Sequence, residues 1–244
     1  MSAQIAAILF DKDGTLFDFQ ATWGAFTADL IRGLAEGDSI AERRVADAID
    51  FDLEAARFRP ESAVIAGTGD VMTGAIARAL PNRDPSEVQR LVSEAGNAAV
   101  QIPATPLPPL MSDLLHAGYR LGVATNDSED GARAHLHAAS IADALDFVAG
   151  FDSGFGSKPG PGQLLAFAAH VGHPPAACLM VGDSTHDLHA AAAAGMPAVA
   201  VLTGVATSRE LAPHADAVLE SIAALPAWLE GRNRARQASQ TATP

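Results

Sequence analysis

Short apolar runs that stop at a polar or turn residue recur along the chain, at residues 5–10, 119–124, 145–149, 177–181, 198–202 and 217–219. From residue 105 onward they alternate with segments of helical periodicity, at 107–117, 128–139, 162–171, 187–195 and 221–230. Near-continuous apolar runs suit strands buried on both faces, and their alternation with helices implies a mainly parallel sheet covered on both sides. The expected core is therefore α/β with a Rossmann-like parallel sheet.

Residues 18–104 break that rhythm. Helical patterns span 22–37, 41–58, 70–80 and 85–99, with no convincing strand between them. Asp84-Pro85-Ser86-Glu87 reads as a helix start, with proline near the first helical position and an acidic first turn. The segment Ile102-Pro103-Ala104-Thr105-Pro106-Leu107-Pro108-Pro109 marks the return to the sheet. The expected organisation is a core from residues 1–17 and 105–231, an inserted all-helical cap at 18–104, and a polar, flexible tail at 232–244.

Composition narrows the partners. Of 244 residues, 48% are hydrophobic and 18% charged, as in a folded chain. The net charge of −13 argues against nucleic acid and anionic membranes. The one cysteine, Cys178, sits among apolar neighbours and reads as a small core residue. No basic region precedes the first apolar run, and no run approaches the roughly 18 apolar residues of a membrane span. The expectation is a cytoplasmic monomer or homodimer. Only two lysines, Lys12 and Lys158, stand against fourteen arginines.

Ligands of an open parallel sheet bind beyond the carboxyl ends of its strands. Asp11 and Asp13 follow the first run, and Thr125 and Asn126 the second. Lys158 lies beyond the third, within Gly156-Ser157-Lys158-Pro159, and Gly182-Asp183-Ser184-Thr185-His186-Asp187 follows the fourth. Carboxylates and one lysine, with small hydroxyl and amide groups, would converge on one crevice. That inventory suits a divalent cation and a phosphate group.

Four motifs carry a family resemblance: Phe10-Asp11-Lys12-Asp13-Gly14-Thr15-Leu16, Val123-Ala124-Thr125-Asn126, Lys158-Pro159-Gly160-Pro161, and Val181-Gly182-Asp183-Ser184-Thr185-His186-Asp187. In this order, each at a strand end, they resemble the haloacid dehalogenase superfamily, and within it members like phosphoglycolate phosphatase. The insert resembles that family's helical cap. The resemblance implies a phosphatase acting on a small phosphorylated metabolite with Mg²⁺. Asp11 would be the nucleophile, forming an aspartyl-phosphate, and Asp13 the general acid and base. The Asp11 carboxylate, the Asp13 backbone carbonyl and Asp183 would hold Mg²⁺, with Asp187 orienting a metal water or Lys158. Thr125, the Asn126 amide and Lys158 would neutralise phosphate oxygens, Gly14 would let the backbone approach the phosphate, and Lys12 would add little beyond its amide.

Other readings stand beside this one. Asp11 and Asp13 could cap a turn, Asp183 or Ser184 a helix, and Lys158 could be a surface charge, but their company favours chemistry. His186 faces either substrate or solvent; His135, His137 and His189 read as surface residues, and Asp18 as a hinge or cap-helix start. In the cap, Arg57 or Arg59 could bind a substrate carboxylate, or both are solvated loop charges. The presence of Asp13 argues against dehalogenation. The absence of a cap lysine argues against Schiff-base hydrolysis of a phosphonate. A sugar phosphomutase of the same fold, or a non-catalytic protein binding a phosphate ligand, remains the alternative.

Overall fold

Alternation along the first strand, Ala7–Phe10 (β1), sends Ile8 and Phe10 to one side of a sheet and Ala7 and Leu9 to the other; all four are buried. The computed structural model describes residues 3–65 and 67–241. After β1 come helices Phe19–Ala35 (α1) and Ser39–Ala48 (α2), strands Phe51–Asp52 (β2) and Arg57–Phe58 (β3), and helices Gly69–Ala79 (α3) and Pro85–Asn97 (α4). The chain then returns through helix Leu107–His116 (α5) to strand Arg120–Ala124 (β4), helix Glu129–Ala138 (α6), strand Phe147–Ala149 (β5) and helix Gly162–Val171 (α7). Strand Cys178–Gly182 (β6), helix Thr185–Ala194 (α8), strand Ala198–Val201 (β7), the short helix Ser208–Leu211 (α9), strand Ala217–Leu219 (β8) and helix Leu225–Thr241 (α10) follow.

Six strands pair in the order β5-β4-β1-β6-β7-β8, every pair parallel. Helices α5, α6 and α10 cover the face carrying Ile8 and Phe10, through Leu110, Leu114, Leu136 and Leu229. Helices α7 and α8 cover the other through Leu164, Phe167 and Leu188. Cys178 is buried in β6, where burial pushes its thiol up to about 11, so it is an inert core residue as the sequence suggested. This is the expected Rossmann-like α/β core. β1 is central, flanked by β4 and β6, so the loops after these three strands meet above its carboxyl end.

The insert has its own core, built from Phe19, Ile31, Val45, Phe51, Phe58, Ile76 and Val88. Two expectations are corrected here. The insert is not all helical: α2 ends at Ala48, and a β2–β3 hairpin replaces the helix expected through residue 58. Asp50 and Ala56 adopt positive φ, and the Asp52 carboxylate accepts from the Glu54 and Ala55 N–H groups, closing the turn. Leu53-Glu54-Ala55-Ala56 favours helix locally, but the hairpin sets the Phe51 and Phe58 rings edge to face at 5.0 Å in the cap core. Burial of two aromatic rings outweighs local propensity.

The polar segment after residue 231 is helical as far as Thr241, rather than a frayed tail. Its arginine-, glutamine- and alanine-rich stretch has good helix propensity. Arg232 stacks on Trp228 at 5.5 Å, and Arg236 Nη2 donates to Gln4 Oε1 at 2.7 Å.

Candidate active site

Asp11 leaves β1 with its backbone N–H still bonded to the Val181 carbonyl of β6, so the sheet ladder itself fixes the position of its side chain. Lys158 reaches the same point from the loop before α7. Its Nζ donates to Asp11 Oδ1 and to Asp187 Oδ1, both at 2.6 Å, and all three residues are buried. Carboxylate oxygens of Asp11, Asp183 and Asp187 lie within 4.8 Å of one another. Three carboxylates against one ammonium leave a formal excess of two negative charges in a largely buried site. The oxygen-only donor set and the charge deficit both fit a hard divalent cation.

The electrostatics show the cost of this arrangement. Burial, opposed by Lys158 and reinforced by Asp187 and Asp13, pushes Asp11 up to about 7. Asp183 is raised well above the usual carboxylate range, first by burial and then by Asp11 and Asp187. Burial alone would lower Lys158, but Asp11 and Asp187 overcome it and the net shift is upward. The lysine stays charged.

Asp183 sits between two glycines. A Cβ on Gly14, which has φ +80°, or on Gly204 would collide with its carboxylate. Gly14 thus makes room for Asp183 as well as bending the loop, while Thr203 Oγ1 donates to its carbonyl at 2.6 Å. Asp187 closes a capping box at the start of α8: the Ser184 N–H and Oγ both donate to Asp187 Oδ2, at 3.0 and 2.7 Å. One Asp187 oxygen is therefore taken by the helix cap and the other by Lys158. That makes Asp187 a brace for the lysine.

Asp13 lines the same pocket but is held from behind. Lys12 Nζ contacts Asp13 Oδ1 at 2.8 Å and Oδ2 at 2.7 Å, and Trp23 Nε1 of α1 donates to Oδ1 at 2.8 Å. Lys12 is fully buried, with Asp127 Oδ2 at 3.0 Å and His135 Nδ1 at 3.2 Å. Burial opposes its charge, but Asp127 and Asp13 raise its pKa overall. Its side chain is thus a buried counter-charge for Asp13, turned away from any phosphate. Thr125 is buried on the pocket wall, its Oγ1 accepting from the Asp127 N–H at 3.1 Å. The Asn126 side chain clamps the Lys158 backbone, accepting from its N–H at 2.9 Å and donating to its carbonyl at 3.0 Å. The expected phosphate ligand therefore also holds the lysine loop in place.

Arg57 and Arg59 are not brought to the site. Both are exposed, Arg57 on the hairpin and Arg59 just after it, and it is Phe58 between them that lines the pocket. Strand alternation decides this, since neighbours on β3 must face opposite ways. His135 is corrected too: it is 3% exposed, and its Nε2 lies 3.0 Å from the Gly96 carbonyl at the end of α4. Burial and then Lys12 lower its pKa, so it is a neutral ring with Nδ1 accepting from Lys12 and Nε2 donating to Gly96. His137 and His189 are exposed, as expected, and His186 lines the pocket. Asp18 caps α1, accepting from the Ala21 N–H at 2.8 Å.

Trp23, Asp127 and Thr27 carried no motif signal. The nearest hint was the spacing Phe19, Trp23, Thr27, which places the three on one stripe of α1 above the pocket.

A family model described as haloacid dehalogenase-like hydrolase matches residues 5–195. A phosphoglycolate phosphatase of Rhodospirillum rubrum is 38% identical over 120 residues, 49% of this chain and 50% of that protein. The chain thus aligns with about half the length of that relative. A phosphoglycolate phosphatase of Salmonella typhimurium is 30% identical over 210 residues, 82% of each protein. Among solved structures, a predicted phosphoglycolate phosphatase from Haemophilus somnus superposes with a TM-score of 0.71 at 20% identity, over 91% of this chain and 97% of that one. At that identity the likeness is one of fold.

Proposed function

This chain belongs to the haloacid dehalogenase-like hydrolases, and from that membership we propose that it hydrolyses the phosphate monoester of a small metabolite through an aspartyl-phosphate on Asp11. The observation that carries the reading is the buried set of Asp11, Asp183, Asp187 and Lys158 at the carboxyl edge of β1, under the cap.

Asp11 and Asp183 would hold Mg²⁺, with the Asp13 carbonyl, while Asp187 braces Lys158. When bound, the cation neutralises phosphoryl oxygens and the carboxylates around it. Lys158 places a fixed positive charge beside the Asp11 oxygen where the phosphoryl group must arrive. An Asp11 carboxylate oxygen attacks phosphorus; the ester P–O bond breaks, and the Asp13 carboxyl gives its proton to the departing alkoxide. Asp13, now a carboxylate, takes a proton from water, whose oxygen attacks the same phosphorus. The Asp11–phosphorus bond breaks and inorganic phosphate leaves. Lys12 and Trp23 hold Asp13 at its post, and Phe19, Phe58 and Met72 of the cap line the pocket beside it.

The curated relatives named above make 2-phosphoglycolate the reference substrate for comparison. The lone cysteine, which leaves no intrachain disulfide to form, is compatible with a cytoplasmic setting; among the described residues no helix is long and apolar enough to cross a membrane. The test is phosphate release from a panel of phosphomonoesters. Activity should need a divalent metal, disappear with chelator, and fall by more than about a thousand-fold in Asp11→Asn. Undiminished release by Asp11→Asn, or release without any divalent metal, would overturn the mechanism. Phosphate transferred to a sugar rather than to water would instead identify a mutase.

A further inference from the structure

Among the described residues, the cap contributes no charged side chain to the pocket. Its wall is formed mainly by Phe19, Trp23, Phe58, Val64, Ile65 and Met72, with Gly67, Thr68 and Gly69 at the start of α3. The Trp23 indole N–H is already spent on Asp13. Both core lysines are buried and committed, Lys158 to Asp11 and Asp187, and Lys12 to Asp13 and Asp127. Among the described residues, His186, on the core side, is the other lining side chain able to carry positive charge. A carboxylate carried into this wall would lose its water and find no cation on the cap, a costly transfer.

We propose that the leaving group of the natural substrate is a neutral, mainly apolar alcohol, packed against the aromatic and aliphatic cap wall. This rests on the phosphatase reading and deepens it: the site takes its phosphate from the core and its selectivity from an uncharged cap. A small phosphorylated acid such as 2-phosphoglycolate is then the poorer substrate.

Binding and turnover test this separately. Calorimetry of the wild-type chain with Mg²⁺ would compare 2-phenylethylphosphonate and 3-phosphonopropionate, the non-hydrolysable isosteres of benzyl phosphate and 2-phosphoglycolate. The phenyl compound should bind about tenfold tighter or better. Ile65→Arg, which adds the missing cation to a half-buried wall position, should shift that preference toward the carboxylate. Tighter binding of 3-phosphonopropionate by the wild type would overturn the proposal, and its loss in His186→Ala would name the reason. In parallel, kcat/KM for benzyl phosphate should exceed that for 2-phosphoglycolate. Absent turnover of every phosphomonoester with the binding preference intact would sink the hydrolase reading and leave the pocket chemistry standing. The reverse pattern, hydrolysis with a carboxylate preference, would sink only the pocket chemistry.

Discussion

Asp13 is held by two residues of different origin: Lys12, its neighbour in the core, and Trp23, ten positions on in the first cap helix. The first bond keeps the carboxyl beside β1; the second ties its orientation to the cap. Trp23→Phe retains the ring and deletes only the N–H. It should lower kcat about tenfold while leaving inhibition by inorganic phosphate nearly unchanged, as expected for a residue that positions the acid and not the phosphate. A parallel rise in the phosphate inhibition constant would show that Trp23 acts on binding instead. Asp13 stood out in the sequence because two acids end one apolar strand. Trp23 did not, because its partner is set by how α1 crosses the mouth of the sheet. The same holds for His135: an amphipathic helix of average polarity offers no sign that its histidine will be covered by the end of α4.

Among the elements, the start of α8 supplies two of the three clustered carboxylates. Its first turn contains Asp187, its cap is Ser184, and Asp183 immediately precedes them. Gly182 belongs to the same construction, since a Cβ there would collide with the Asp187 carboxylate. The helix start is thus an organising device: the capping box that stabilises α8 also aims Asp187 at Lys158. Ser184→Ala should cost about 1 kcal/mol of stability, measured by chemical denaturation, and should also lower kcat by loosening the hold of Asp187 on Lys158. Loss of stability with unaltered kcat would confine the box to a structural role. The cap hairpin is the counter-example in legibility. Leu53, Glu54, Ala55 and Ala56 favour helix one by one, and the meeting of Phe51 with Phe58 in the cap core overrides them. Gly24, in the middle of α1, belongs to that packing: a Cβ there would strike the Ala56 carbonyl of the hairpin turn.

At the scale of the whole molecule, the core stores like charge that the fold alone does not neutralise. Asp11 titrates near 3.8 when unfolded and near 7 in the metal-free fold, because burial disfavours its charged form. The native state therefore holds a proton that the unfolded chain has released. The stabilisation this gives is complete below about pH 4 and is lost as the pH rises to about 7, with Asp183 acting in the same direction. Metal-free protein should accordingly lose stability across that interval, and Mg²⁺ should restore it. The rise in Tm on adding Mg²⁺ should be larger at pH 8 than at pH 5, read by scanning calorimetry. An equal rise at both values would mean that the carboxylate cluster is not where the cation binds.

Pattern along the chain was enough to determine the parallel sheet, the insertion after β1, and the convergence of Asp11, Asp13, Thr125, Lys158 and Asp183, because strand ends in such a sheet share one edge whatever the details of packing. Tertiary structure decided the rest: that Lys12 is the counter-charge of Asp13, that Asn126 clamps the lysine loop, and that Phe58 faces the pocket while Arg57 and Arg59 face water. The physical reason is the same in each case. Backbone periodicity is local and can be read from one segment, whereas the partner of a charge and the wall of a pocket depend on which two distant surfaces touch.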